Sequence, residues 1–138
     1  MTESLSASER ALAIAASALE KKALAPMLLD LCGLADFTDY FLIIEGTSRT
    51  HVQALAEGIR LFAKHELNEP SIMIEGIRSA RWVLVDLGDI VIHIFDGETR
   101  GFYDLEGMWA DAPRIDVPGA EDALPAYQTG WTSASIEP

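Results

Sequence analysis

One short run of the chain limits the fold more than any other feature. Tyr40-Phe-Leu-Ile-Ile44 is unbroken by polar residues and rich in aromatic and β-branched side chains, so it reads as a strand buried within a sheet. Soon after it, apolar residues recur at Val52, Leu55, Ala56, Ile59, Phe62 and Ala63, the spacing of one face of a helix. Asn68 and Pro70 end that helix near Leu67. A buried strand followed by a long one-faced helix calls for a sheet with helices packed on it.

The flanking segments extend the same scheme. Ser6 and Glu9 have capping-box spacing, and Leu12, Ala15, Ala16, Leu19 and Ala23 share a face, which predicts a first helix over about 8–22. The run Pro26–Cys32 predicts a strand before Tyr40–Ile44. Thr50 and Gln53 have capping-box spacing at the start of the second helix. Ser71–Ile77, Trp82–Leu87 and Ile90–Phe95 read as three more strands, the last two joined by a hairpin turn at Gly88-Asp89. A helix over Phe102–Ala112 follows, closed by Pro113. The expectation is a single α/β domain over residues 1–113 with a mixed five-stranded sheet. Residues 114–138 then form an acidic tail containing Pro, Ala and Ser, pinned by a few apolar residues such as Tyr127 and Trp131.

The 138 residues carry 22 acidic and 10 basic side chains, a formal charge of −12. Such a surface repels phosphate backbones, so nucleic acid is not expected to be the main source of affinity; a basic protein suits it better. The single cysteine, Cys32, rules out an intramolecular disulfide and CxxC metal sites, and its apolar neighbours suggest a buried structural thiol. Neither a signal peptide nor a stretch long enough to span a membrane is legible, so a cytoplasmic location is expected. His51, His65 and His93 have no second ligand at metal spacing, and no cofactor motif occurs.

Gly46-Thr47-Ser48, between a strand and a helix, resembles the turn that opens nucleotidyltransferase folds and cradles a triphosphate. That chemistry also needs two or three carboxylates around magnesium. The strand after the helix holds only Glu75, and Asp86 and Asp89 flank a turn rather than sharing a strand face. The two aspartates read first as turn formers, and secondarily as attractors of a basic partner. Along the hairpin, Trp82, Leu84 and Asp86 share one face and Val83, Val85 and Leu87 the other. Trp82 is either a core residue or an interface anchor.

Several ordered blocks then resemble one family, the Iojap family of ribosomal silencing factors. They are Thr38–Ile44, Gly46-Thr47-Ser48, His51–Ala54, Glu75-Gly76, Trp82–Asp89, Ile90–Phe95 and Arg100–Trp109. The resemblance implies a nucleotidyltransferase-like fold without the catalytic acids, hence no enzyme activity. It implies binding to the large ribosomal subunit through its fourteenth ribosomal protein, which sterically blocks subunit joining and represses translation. Homodimers are also plausible for the family. Carried over as contact or contact-shaping positions are Glu75, Gly76, Trp82, Asp86, Asp89 and His93, with Tyr103, Leu105 and Trp109 as weaker candidates. Two other readings stand beside it: a metal-dependent nucleotidyltransferase-like enzyme, and an adaptor dimer with some other basic protein.

Overall fold

The computed structural model describes residues 5–125. Helix α1 spans Ala7–Glu20 and begins with the expected capping box: the Ser6 side chain accepts from the Glu9 amide, and Glu9 accepts from the Ser6 amide. Helix α2 spans Arg49–Glu66, but its cap is Ser48 rather than Thr50, the Ser48 hydroxyl accepting from the His51 amide at 3.1 Å. Gln53, expected to complete a box, reaches out to the Ile77 carbonyl instead, at 2.9 Å.

The sheet is mixed, as expected, but the described residues form six strands, not five. These are β1 (Leu24–Asp30), β2 (Tyr40–Gly46), β3 (Met73–Glu75), β4 (Trp82–Asp86), β5 (Ile90–Asp96) and β6 (Arg114–Ile115). Their spatial order is β3-β4-β5-β2-β1-β6. The β2–β5 pair is parallel and the other pairs are antiparallel. The additional strand comes from the segment after Pro113. Ile115 and Arg114 lie opposite Leu28 and Leu29, Val117 is buried, and the Ala25 amide donates to the Ala123 carbonyl beside a short 3-10 turn at Ala120–Asp122. A two-residue strand has no periodicity, so only the edge hydrogen bonds of β1 reveal it. Tyr127 and Trp131 lie outside the described residues.

Alternation along the central strands divides the sheet into two unlike faces. Leu28, Leu42, Ile44, Val83, Val85, Ile92 and Ile94 point to the side that α1 and α2 cover. The Ala11, Ala15 and Ala18 stripe of α1 lets that helix lie close to the strands, while α2 contributes Val52, Leu55, Ala56, Ile59 and Ala63. This is the larger core. Leu29, Phe41, Ile43, Val91, His93 and Phe95 point the other way, where no long helix lies among the described residues.

The expected helix over Phe102–Ala112 is instead two short helices, α3 (Gly97–Tyr103) and α4 (Leu105–Met108). Asp104 separates them in the left-handed region, φ 47°. Its carboxylate accepts from the Gly107 amide, so one residue closes α3 and caps α4. Helix α3 also starts five residues earlier than expected, because Asp96 caps it by accepting from the Thr99 amide at 2.7 Å. Cys32, expected to be buried, is exposed: β1 ends at Asp30, and the chain turns outward with the Cys32 amide on the Asp30 carboxylate.

Candidate functional site: an aromatic sheet face

Register places most of the sequence-predicted residues on the face that α1 and α2 leave open. Trp82 lies opposite Phe95, Leu84 opposite His93 and Asp86 opposite Val91. Across the next ladder Glu75 lies opposite Leu84 and Met73 opposite Asp86. Paired residues share a face, so Met73, Glu75, Trp82, Leu84, Asp86, His93 and Phe95 form one surface. Trp82, whose direction the alternation left undecided, therefore points away from the main core, and its side chain is half-buried.

An aromatic seam runs along this face. The Trp82 ring stacks on Phe95 with centroids 4.9 Å apart and meets Tyr103 at 4.8 Å. Its indole N–H donates to Nδ1 of His93 at 3.0 Å. His93 meets Phe41 edge-on at 4.3 Å, and Phe41 meets both Trp109 and Phe37 at 6.0 Å. Leu105 is buried beneath, in the second core cluster with Leu29, Leu31, Ile43 and Ala112. At its margins the seam opens to solvent: Phe102 is 79% exposed, Phe37 62% and Tyr103 50%. A shallow hollow of about 390 Å³ lies at the Trp82 end, lined by Ser79, Arg81, Trp82, Glu98, Thr99, Phe102 and Tyr103.

Several predicted residues also have structural contacts of their own. Gly76 sits at φ 85°, and a Cβ there would run into the Trp82 carbonyl oxygen, so only glycine allows the β3–β4 connection to pass Trp82 this closely. Asp86 is a turn former, its carboxylate accepting from the Gly88 amide at 2.8 Å. Asp89 is not on this face. It is held by Arg10 of α1 at 2.5 Å, and Arg10 also meets Glu69 at 2.6 Å. His93 is buried, and burial pushes its pKa down to about 4. An indole can only donate, so Nδ1 must be the acceptor; Nε2 then carries the proton and has no partner among the described residues.

The sequence reading missed two features. Phe37 and Phe102 are large exposed aromatics at the ends of the seam. Arg100 is buried, with Nη1 3.4 Å from Glu45 and Nε 2.8 Å from Glu106, and so fastens both short helices to β2. Glu45 at the end of an apolar strand was the available signal, since a buried acid requires a cation or donors close by.

The nucleotidyltransferase-like loop is occupied by its own side chains. The Thr47 amide donates to His51 Nδ1 at 2.9 Å, and His51 Nε2 lies 2.9 Å from the Lys21 carbonyl. Among the described residues no group of three or more His, Cys, Asp or Glu side chains is placed to hold a metal.

A family profile described as "ribosomal silencing factor during starvation" matches residues 4–135, nearly the whole chain. The chain belongs to the ribosomal silencing factor family. The Iojap resemblance read from the ordered blocks is thus borne out, and the family comprises ribosome-binding factors without enzymatic activity. The silencing factor RsfS of Bacillus subtilis is 44% identical over 110 residues, covering 77% of this chain and 90% of the relative. Two solved structures share the architecture seen here. A Bacillus halodurans protein superposes with a TM-score of 0.65 at 36% identity, covering 75% of this chain and 93% of its own. A Chromobacterium violaceum protein reaches 0.73 at 27% identity, covering 83% and 93%.

Proposed function

We propose that this silencing factor is a cytoplasmic protein that binds the large ribosomal subunit through its fourteenth ribosomal protein and blocks subunit joining by its bulk. The observation that carries the reading is the aromatic seam, buried at Phe95 and His93 and open to solvent at its margins. Trp82, Tyr103 and Phe102 form an anchored cluster that is rigid below and exposed above, the pattern of an interface hot spot. Glu75 and Asp86 border it on the same face and suit a basic partner. His93, Leu105 and Trp109 hold the aromatics from beneath, and Gly76 shapes the approach to Trp82. A standard interface needs roughly 800 Å² from each partner, within reach of one sheet face of this size. Blocking requires occupancy and bulk, not chemistry.

The test is co-sedimentation with purified large subunits, followed by a subunit-joining assay with the protein in excess. Binding with reduced joining is expected. Unchanged joining at saturating protein would overturn the steric mechanism, and absence of co-sedimentation would overturn the ribosomal reading as a whole.

A further inference from the structure

One end of the aromatic face breaks the acidic character of the molecule. Arg49 at the start of α2, together with Arg78 and Arg81 in the β3–β4 connection, lines an open hollow of about 710 Å³ with Gly76, Ile77 and Ser79. These are three of the ten basic residues in a chain of charge −12. None of the three makes an ion pair within the described residues, whereas Arg10, Arg60 and Arg100 are all engaged with carboxylates. The side chains of Arg78 and Arg81 are exposed.

The connection that carries them is held firmly. Arg49 donates through Nε and Nη2 to the Arg78 carbonyl at 3.2 and 2.9 Å, and Gln53 donates to the Ile77 carbonyl. The Ala80 amide closes the turn on the Gly76 carbonyl at 2.9 Å, with Ala80 buried and left-handed. A fixed loop adds little backbone ordering cost on binding. Ser79 and Arg81 also line the neighbouring hollow that contains Trp82, Phe102 and Tyr103, so the arginine cluster continues the proposed docking face.

Resting on the ribosomal reading above, we propose that Arg49, Arg78 and Arg81 form a phosphate-contacting corner that engages the RNA backbone of the large subunit beside the protein contact. Guanidinium groups match phosphate oxygens in geometry as well as charge. The acidic remainder of the surface opposes RNA at large, so the corner acts only once the aromatic face has positioned it. It reads no base sequence; its contribution is affinity and orientation.

The test is the double variant Arg78→Gln/Arg81→Gln, which keeps both backbone carbonyls and removes two exposed charges. Binding to purified large subunits is measured over a salt series, beside binding to the isolated fourteenth ribosomal protein and a thermal melt. The variant should melt like the wild type and lose less affinity for the isolated protein, whose contact Arg81 borders, than for large subunits. Its affinity for large subunits should fall about tenfold at low salt, and its slope of log K against log salt should flatten by about 1.5, given roughly 0.7–0.9 for each phosphate neutralised. An unchanged slope for large subunits would overturn the proposal. So would an equal loss against the isolated protein, which would place the arginines on protein instead. If the wild-type protein failed to bind large subunits at all, the ribosomal reading itself would fail, and the two failures are therefore distinguishable.

Discussion

Trp82 and His93 sit on adjacent strands but not opposite one another: Trp82 pairs with Phe95 in the ladder, and its indole N–H crosses diagonally to Nδ1 of His93 at 3.0 Å. This one bond decides how the open face is built. It fixes the plane of the indole, the tautomer of the imidazole, and through Phe95 and Tyr103 the position of the exposed aromatics.

Burial of His93 makes the face sensitive to acid. His93 is buried and its pKa lies at about 4, below the usual value of 6.5. The unfolded chain therefore takes up the proton first as pH falls. The stability held by neutral His93 is complete above about pH 6.5 and is lost progressively as pH falls toward 4. Between pH 7 and pH 5 the loss is about 2 kcal/mol from this group. Urea unfolding at the two values should show that drop in the wild type and a smaller one in His93→Gln, whose amide oxygen still accepts from Trp82. An equal drop in the two proteins would contradict the assignment.

Anchors and supports in the aromatic face are separable by measuring stability and affinity together. Phe102 is 79% exposed, so Phe102→Ala should change unfolding free energy by less than about 0.5 kcal/mol while weakening large-subunit binding at least tenfold. Trp82→Ala removes a half-buried ring with a hydrogen bond and should cost about 2–3 kcal/mol of stability as well as affinity. A Phe102 variant that binds normally would show that this margin of the seam does not touch the partner.

Arg10 joins two carboxylates from distant parts of the chain, Glu69 after α2 and Asp89 in the β4–β5 turn. All three are at least partly shielded, with Asp89 the most exposed at 36%, so solvent discounts its pair. A double-mutant cycle on Arg10→Ala and Asp89→Ala should give a coupling of about 1 kcal/mol, weakening with added salt. Asp89→Ala should leave large-subunit binding unchanged, since its carboxylate faces α1 and not the aromatic surface.

Gly76→Ala tests whether that position shapes the site rather than touching a partner. The left-handed backbone and the encounter with the Trp82 carbonyl should together cost about 2 kcal/mol or more, and they should displace Trp82. Near-ultraviolet circular dichroism should report the altered tryptophan environment. An unchanged spectrum and melting temperature would remove the proposed constraint.

Local patterns carried much of the architecture. The capping box at Ser6 and Glu9, the one-faced stripe of α2 and the apolar runs of β2 and β5 depend on spacings of two to four residues, which sequence displays directly. The ordered blocks carried the family for the same reason. What spacing could not supply was any quantity set by distant partners. Gln53 left its expected cap for a carbonyl 24 positions away, and Arg100 reached Glu45 across 55. Arg114–Ile115 became a strand only because β1 offered an unpaired edge.

The region that first suggested a binding role, the β4–β5 hairpin, shows the same division. Its sequence alone determined two mostly apolar rows, a turn at Gly88-Asp89 with Asp86 beside it, and a tryptophan at one end, because alternation and turn chemistry are properties of neighbouring residues. Only the tertiary structure decided which row is covered. Helices α1 and α2 pack on the Val83 and Val85 side, leaving Trp82 to stack on Phe95 and Tyr103 at the surface. The two rows are nearly equal in hydrophobicity, so the choice between them depends on where the helices return to the sheet.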